Sequence, residues 1–525
     1  MTTSPPSCSP HLRRRRLLQG AAAGLALTVP AVQAQRVPEA GRPLQLVGPW
    51  ELTGLAPANS GFMFARLQIA ETLMNARDDG TPLPGLAQRW HSSADGLVWR
   101  FELRPQARFH DGSAVTAAAV VRCLETARTP PSLLSVAPVR AIETDGAHTV
   151  VIRLTTPFGG LPALLAHSST IVLAPASYGA DGSVRQIVGS GPYRIHVLSA
   201  PQLVEAVAFE GYDGPQPVVR HTRYLTVSRS ETRTLMVEAG QADLAYSLDP
   251  ASLQRLRRRG QVRIETAMLP RTVIVKLNAG LPALQDVRVR RALSLCIDRD
   301  GIAKALLRDP TLAATQMFPP LMKGWHDPGL PPLRHDPAEA ARLLAEAGWQ
   351  RGPEGLVNAA GQPLQLVLRG FPDRPELPLF AAALQEQWRQ AGITVKVSIG
   401  NSGDIPLGHR DGTLHMGLGA RNFGTVPDPV GTLLQDYGPQ GGDWGAMGWS
   451  DERVVAALQA LARGGLTPER AADLRAQVAQ ALHQALPVIP VTWYRQHVAT
   501  SARVAGVSVD PLERSYRLTD MTWTA

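Results

Sequence analysis

Polar and apolar positions along this chain alternate in short runs. Val98 to Leu103 reads Val-Trp-Arg-Phe-Glu-Leu, a period of two that predicts a half-buried strand. Comparable runs predict strands at 44–47, 149–154, 194–197, 271–277, 364–368 and 394–397. Between them, apolar positions three and four apart predict helices at 65–74, 116–127, 287–295, 337–347 and 377–390. The helix at 337 opens on a proline and stops before Gly348, as a first turn and a C-terminal stop require. Strands that alternate with helices predict an α/β fold, with helices on the faces of parallel sheets.

Two turns punctuate the pattern. His110-Asp111-Gly112-Ser113 precedes the helix at 116, and it reads as a turn in which Asp111 caps that helix and Gly112 takes a special backbone angle. Gly189-Ser190-Gly191-Pro192-Tyr193 reads as a tight turn into a strand.

The first 34 residues follow a different pattern. Arg13 to Arg16 lead into a mild apolar run, Gly20 to Val29, and then into Val32-Gln33-Ala34. This is the layout of an export signal with a small-residue cleavage site. The apolar run is about half the ~20 residues that span a bilayer. Arginines directly before a weakly apolar segment resemble the twin-arginine export signal. The expected destination is the periplasm, without a lipid anchor, because Cys8 lies before the apolar run.

Composition then narrows the function classes. The roughly 490 residues beyond the signal are too many for one hydrophobic core, so two or three domains are expected. The formal charge is +9, of which the arginines of the signal supply four, leaving +5 spread along the rest. That balance does not point to nucleic acid. The local cluster Arg255, Arg257, Arg258 and Arg259 reads as a solvated helix end. Cys123 and Cys296 fall in helix-like segments far apart and read as buried free thiols. No Gly-x-Ser-x-Gly elbow, phosphate-binding loop or zinc-protease histidine motif occurs. His409 and His415 flank a probable turn and read as surface residues. Nothing here marks an enzyme.

Several segments together carry a family resemblance. Gly85-Leu86-Ala87-Gln88-Arg89-Trp90 leads into Ser93-Ala94-Asp95-Gly96-Leu97-Val98-Trp99, and Leu103-Arg104-Pro105 into Phe109-His110-Asp111-Gly112. Val188 to Tyr193 reads Val-Gly-Ser-Gly-Pro-Tyr. Asp286-Val287-Arg288-Val289-Arg290-Arg291-Ala292-Leu293 runs on to Ile297-Asp298-Arg299, and Asp336-Pro337 to Leu343-Leu344-Ala345-Glu346-Ala347-Gly348-Trp349. In this order and spacing they resemble the peptide/nickel family of extracytoplasmic solute-binding proteins (family 5), over nearly all of the chain beyond the signal.

The resemblance implies a two-lobed periplasmic-binding-protein fold of the large, three-subdomain type. Lobe 1 would span 35–270, with an inserted subdomain near 76–188, and would be completed by a return at 498–525. Lobe 2 would span 271–497. The chain would cross between lobes near 269–277 and 495–500, and the two crossings would act as a hinge that a ligand closes. The implied partners are the permease subunits of an ABC importer and a small ligand. No cofactor is implied beyond a metal chelate acting as ligand, and a monomer is expected.

The implied cleft loop is Arg421-Asn422-Phe423-Gly424-Thr425-Val426-Pro427-Asp428-Pro429. Peptide-binding relatives carry an aspartate three residues before the Asp-Pro pair, which meets the peptide ammonium. Here that position is Thr425, so the amine would lose its counter-ion. The segment is more similar to the nickel-binding branch: Met63 stands where that branch has a cleft methionine, and Phe423 where it has a cleft tryptophan. Two carboxylate-gripping arginines of that branch have no match, since His167 to Val172 contains none and Arg128 is only nearby. A cleft tyrosine of the branch is Pro427 here. Either the ligand is less anionic than in that branch, or Arg421 supplies the missing charge. Tyr437, Trp444 and Trp449 flank or lie in the Gly-rich stretch 438–448 and read as aromatic cleft candidates. Nickel-chelate and peptide-like ligands both stay open, as do a periplasmic chaperone and a chemosensory binding protein on the same fold.

Overall fold

A computed structural model of the chain describes residues 42–524, apart from 261, 354, 373 and 375. The export signal read at 1–34 lies outside the described residues.

A ten-stranded sheet runs through the molecule. From one edge to the other its strands are Thr394–Ile399, Gln365–Gly370, Met416–Asn422, Val262–Leu277, Val488–Ser501, Leu244–Tyr246, Leu44–Gly48, His221–Thr226, Leu203–Ala208 and Tyr193–Ser199. The sheet is mixed rather than parallel. Parallel pairing holds where Leu44–Gly48 meets its two neighbours and where Gln365–Gly370 meets its two. Elsewhere the pairs are antiparallel. The reason is connection length: residues 200–202 join two neighbouring strands, too few for the crossover that parallel pairing needs.

Val262–Leu277 and Val488–Ser501 are long crossing strands that pair along their length and carry the sheet from its N-terminal half to its C-terminal half. They contain the stretches in which the sequence placed the crossings. Their register shifts between Leu269 and Thr272, next to Pro270. Proline has no N–H for the ladder, so a bulge and a local bend fall there.

Each half has its own packing. On one face of the first crossing strand Val273, Val275 and Leu277 join Leu293, Phe380, Leu384 and Trp388. Ile274 points the other way, into a core that also holds Phe64, Phe318, Phe423 and Val478. That second core runs without a break into the N-terminal half, and the amide of Gly159 donates to the carbonyl of Ala462 at 2.8 Å. Cys123 and Cys296 are buried free thiols that sit in different cores. A separate antiparallel sheet of Ala87–Ser92, Val98–Leu103, Thr149–Leu154 and Val139–Thr144 lies within the segment read as an insertion. The helix Ala117–Ala127 buries Val120 and Leu124 in the same N-terminal core.

Two local expectations need correction. The helix expected at 65–74 is Pro57–Arg66 instead. Beyond it Gln68 adopts φ 54°, and the amides of Ile69 and Ala70 both turn back to the carbonyl of Phe64. The apolar residues Leu67, Ile69 and Leu73 are still buried, but in irregular chain. Gly189 and Gly191 press on that chain: a Cβ there would lie 2.1 Å from the carbonyl of Ile69 and 2.2 Å from that of Gln68. Asp111 does not cap the helix that follows. Its carboxylate accepts from Ser113, and Thr116 caps through the amide of Ala119. Gly112 does take a positive φ, 85°.

Candidate ligand cleft

Four charged side chains from distant parts of the sequence converge beside the bulge at Pro270. Arg66 ends the helix Pro57–Arg66. Arg271 lies in the buried part of the first crossing strand, just after Pro270. Arg374 precedes the helix Glu376–Gln390. Glu513 sits in the C-terminal tail.

The tail presents Glu513 through a tight turn. Asp510 accepts the amides of Leu512, Arg514 and Ser515, and Glu513 itself adopts φ 55°. Its carboxylate pairs with Arg271, accepts from Asn422 Nδ2 at 3.2 Å, and lies 3.7 Å from Arg66 Nη2. Arg66 also donates from Nε to the Glu513 carbonyl at 2.9 Å.

Aromatic rings hold the guanidiniums in place. Arg66 lies over Trp50 at 4.5 Å and over Phe62 at 5.2 Å. Arg271 and Arg374 share the ring of Tyr494, at 4.9 and 5.3 Å. Arg374 donates to the Tyr494 hydroxyl at 3.3 Å. Such contacts keep a cation positioned without neutralising it.

Positive charge exceeds negative here. Three guanidiniums surround Glu513, and Glu376 acts on Arg374. Burial, and then Arg374, pull Arg271 below its ordinary value. Burial would raise Glu513, but Arg271, Arg66 and Arg374 outweigh it and hold the carboxyl below the usual range. Among the described residues, Arg271 Nε and Nη1 and Glu376 Oε1 are buried without a hydrogen-bond partner. Unpartnered donors in a dry site are costly, so the arrangement suits a molecule that brings acceptors. The adjoining cavity, between Trp50, Tyr246, Gln496 and Tyr516, is about 20 Å³. That is room for about one water.

The residues singled out from sequence fall around this point in two groups. Strand Met416–Asn422 pairs with the first crossing strand so that Asn422 stands opposite Arg271 and Arg421 opposite Thr272. Phe423 is buried against Phe318, and its amide donates to the Pro270 carbonyl at 2.7 Å. Thr425 donates its hydroxyl to the Asn422 carbonyl at 3.3 Å. This stretch borders the arginine cluster. Arg421 is directed elsewhere, into a two-point pair with Asp436. Tyr437 follows that aspartate and is fully buried. Trp444 packs across Phe371 and over Gly419, where a Cβ would lie 2.8 Å from the ring. Trp449 packs partly buried on the apolar core. Met63 is fully buried one turn before Arg66.

The Gly-rich stretch is anchored rather than free to bend. Lys276, 2% exposed, donates to the carbonyls of Gly442 and Gly445. Glycine is needed there because a Cβ on Gly441, Gly442 or Gly445 would lie 2.0–2.3 Å from a neighbouring carbonyl.

A larger groove, about 740 Å³, is lined by the N-terminal half and the tail and shares Asp510 and Ser515 with the small cavity. Part of its charge is paired: Arg517 with Asp78 and Asp510, Arg514 with Asp510, and Glu71 with Arg104. Its lining does not reach the C-terminal half of the sheet. Among the described residues no three His, Cys, Asp or Glu side chains converge as a metal ion would need. No described helix is long and apolar enough to cross a membrane.

Sequence reasoning missed Arg66, Arg271, Arg374 and Glu513. One signal was present: Arg271 opens the apolar run Thr272 to Val275, in a stretch already read as a crossing. A charge at the mouth of a buried strand must find a buried partner.

Comparison with known proteins agrees with this architecture. Residues 81–444 match the family model for bacterial extracellular solute-binding proteins, family 5. The chain is 24% identical over 493 residues to the nickel-binding periplasmic protein of Escherichia coli K12, covering 88% of this chain and 93% of that protein. It is 28% identical over 278 residues to the glutathione-binding protein GsiB of Escherichia coli O1:K1 / APEC, about half of each chain (51% and 53%). NikA from Brucella suis, solved with Fe(III)-EDTA, superposes with a TM-score of 0.83 at 24% identity, over 92% of this chain and all (100%) of that one. The oligopeptide-binding protein AppA from Bacillus subtilis, solved with a nonapeptide, gives 0.76 at 18% identity over 92% of this chain and 100% of that one. The mixed α/β architecture is thus the two-lobed periplasmic-binding-protein fold. The chain belongs to the bacterial extracellular solute-binding proteins of family 5.

Proposed function

We propose that this protein is the exported solute-binding component of an ABC importer, and that it closes its two lobes on a small solute bearing a carboxylate. One observation carries the ligand class: three guanidiniums gather around Glu513 beside the hinge, and among the described residues Arg271 Nε and Nη1 have no partner. A carboxylate accepts from such a fork at two points, which fixes its orientation as well as its charge.

The lobes are taken as 35–270 with 498–525, and 271–497, joined by the two crossing strands. Opening and closing would bend the sheet at the Pro270 bulge. The signal-like residues 1–34 support export to the periplasm, and permease subunits would read the closed form. The protein would act as a monomer and without catalysis.

Two carboxylate-bearing ligand classes fit, a peptide and a metal chelate held by an organic acid. Relatives bind nickel or glutathione by name, and solved neighbours carry an iron chelate or a peptide. Thr425 in place of an aspartate weighs against a free peptide amine. Met63, wholly inside the core, weighs against a thioether contact to a metal. The carboxylate is the feature both classes share.

A thermal-shift screen of residues 35–525 tests the reading, using dipeptides, oligopeptides, and Ni²⁺ with and without histidine or citrate. A ligand at 100 times its Kd stabilises by about 2.7 kcal/mol. Stabilisation by carboxylate-bearing probes that is lost in Arg374→Ala supports the proposal. Stabilisation by uncharged or cationic solutes instead overturns it.

A further inference from the structure

Glu513 is an unusual residue for its place. Its backbone is left-handed at φ 55°, a conformation that favours glycine and strains a residue with a side chain. The turn that imposes it is closed by the Glu513 amide on the Asp510 carbonyl at 3.0 Å and by three further amides on the Asp510 carboxylate. That geometry holds a carboxylate of lobe 1 against Arg271 and Asn422, both of lobe 2. Both of those contacts fall on one oxygen, Oε2, while Oε1 lies nearest Arg66 of its own lobe. This is the way a carboxylate bridges two halves of a cleft.

We infer that Glu513 is a tethered stand-in for a ligand carboxylate: it occupies the anion position of the cleft, holds the lobes together in the absence of solute, and yields Arg271 when a solute carboxylate arrives. The inference rests on the proposed carboxylate site and adds to it a residue of the chain's own that competes there. Three features support it. The carboxylate reaches Arg271 and Asn422 across the proposed lobe boundary as well as Arg66 on its own side. The cavity beside it is filled down to about 20 Å³ by Trp50, Tyr246, Gln496 and Glu513 itself. Among the described residues, two nitrogens of Arg271, Nε and Nη1, have no partner even with Glu513 in place, so the site has more donors than one carboxylate can use. As a consequence, Glu513 sets specificity. With it present, a solute must displace a negative charge as well as fill a pocket, so weakly charged solutes are disfavoured.

Small-angle scattering of the solute-free protein tests the latch, and isothermal titration with a dipeptide and with Ni²⁺–histidine tests the competition. Glu513→Gln keeps the shape and removes the charge. Glu513→Gly removes the side chain and also the backbone strain, so a loss of fold would not explain its behaviour, and its melting temperature checks this. Both variants are expected to show a larger radius of gyration than the wild type without solute. Whichever probe binds the wild type should bind Glu513→Gln more tightly, by about tenfold for one lost charge-assisted contact. Unchanged radii of gyration in both variants, or weaker binding by Glu513→Gln, would overturn the inference. Expanded variants that bind neither probe would keep the latch and sink the carboxylate-ligand reading. Tight probe binding with unexpanded variants would do the reverse.

Discussion

Arg421 and Asp436 form a two-point ion pair, with Nε 2.5 Å from Oδ2 and Nη2 3.0 Å from Oδ1. The aspartate side chain is 2% exposed and the arginine 16%, so the pair works largely out of water. Burial raises the aspartate above its ordinary value, against the opposing pull of Arg421 and then Lys276. Removing one partner of a buried pair costs about 3–5 kcal/mol, because the other charge is left bare. Asp436→Ala is therefore expected to lower stability by about 3 kcal/mol, seen as a lower urea midpoint at unchanged slope. A change under about 0.5 kcal/mol, typical of an ordinary surface site, would show that the pair is not structural.

Arg374 should behave in the opposite way. Among the described residues its guanidinium makes one hydrogen bond, to the Tyr494 hydroxyl, and otherwise lies over that ring. Arg374→Ala is expected to weaken binding of a carboxylate-bearing probe by about 2 kcal/mol, or roughly thirtyfold, the cost of leaving a desolvated carboxylate short of a partner. The melting temperature of the free protein should stay close to that of the wild type. Equal losses of binding and stability would make Arg374 a scaffold residue.

Thr425 tests how the amine end of a peptide is received. Its hydroxyl makes only a 3.3 Å contact with the Asn422 carbonyl, on a stretch that borders the cluster. Thr425→Asp places a carboxylate where an ammonium group would need one. Titration calorimetry is expected to show dipeptide affinity rising at least about tenfold, the size of a charge-assisted bond. N-acetylated dipeptides should gain nothing. An equal gain for both would point to an indirect effect.

Three histidines predict an acid limb of stability. Burial lowers His110, His167 and His497 to about 4. In the unfolded chain they titrate near 6.5, at roughly the reference value. Between those values the unfolded state binds protons that the folded state refuses. Stability is therefore full above about pH 6.5 and is lost as the pH falls toward 4, by at most ~3 kcal/mol per histidine. His167 accepts the amide of Ser169 at 3.1 Å, an acceptor role that asparagine can keep. His167→Asn should flatten the fall in melting temperature between pH 6.5 and 4. An identical slope would mean that this ring is reached by water.

The elements that local pattern describes well are those whose burial follows their own periodicity. The helix Val287–Leu295 and the strands Val98–Leu103 and Thr149–Leu154 fall where apolar spacing places them. The helix expected at 65–74 fails because its apolar residues are buried in irregular chain beyond Arg66. Leu67, Ile69 and Leu73 are inside, but Gly189 and Gly191 crowd the carbonyls that a continued helix would have turned inward. The Gly-rich stretch at 438–448 misled in a similar way: its glycines serve close backbone contact and a buried lysine, not mobility.

The candidate cleft divides along the same line. The amino-acid sequence by itself determined the class of fold and the family. Both depend on residues near one another in the chain, or on ordered motifs. Only the tertiary structure decided which charges meet. Arg66, Arg271, Arg374 and Glu513 come from four distant segments that the fold brings together. The same folding turned Arg421 away to Asp436. An arginine's role depends on which carboxylate lies within a few ångströms, and separation along the chain does not encode that distance.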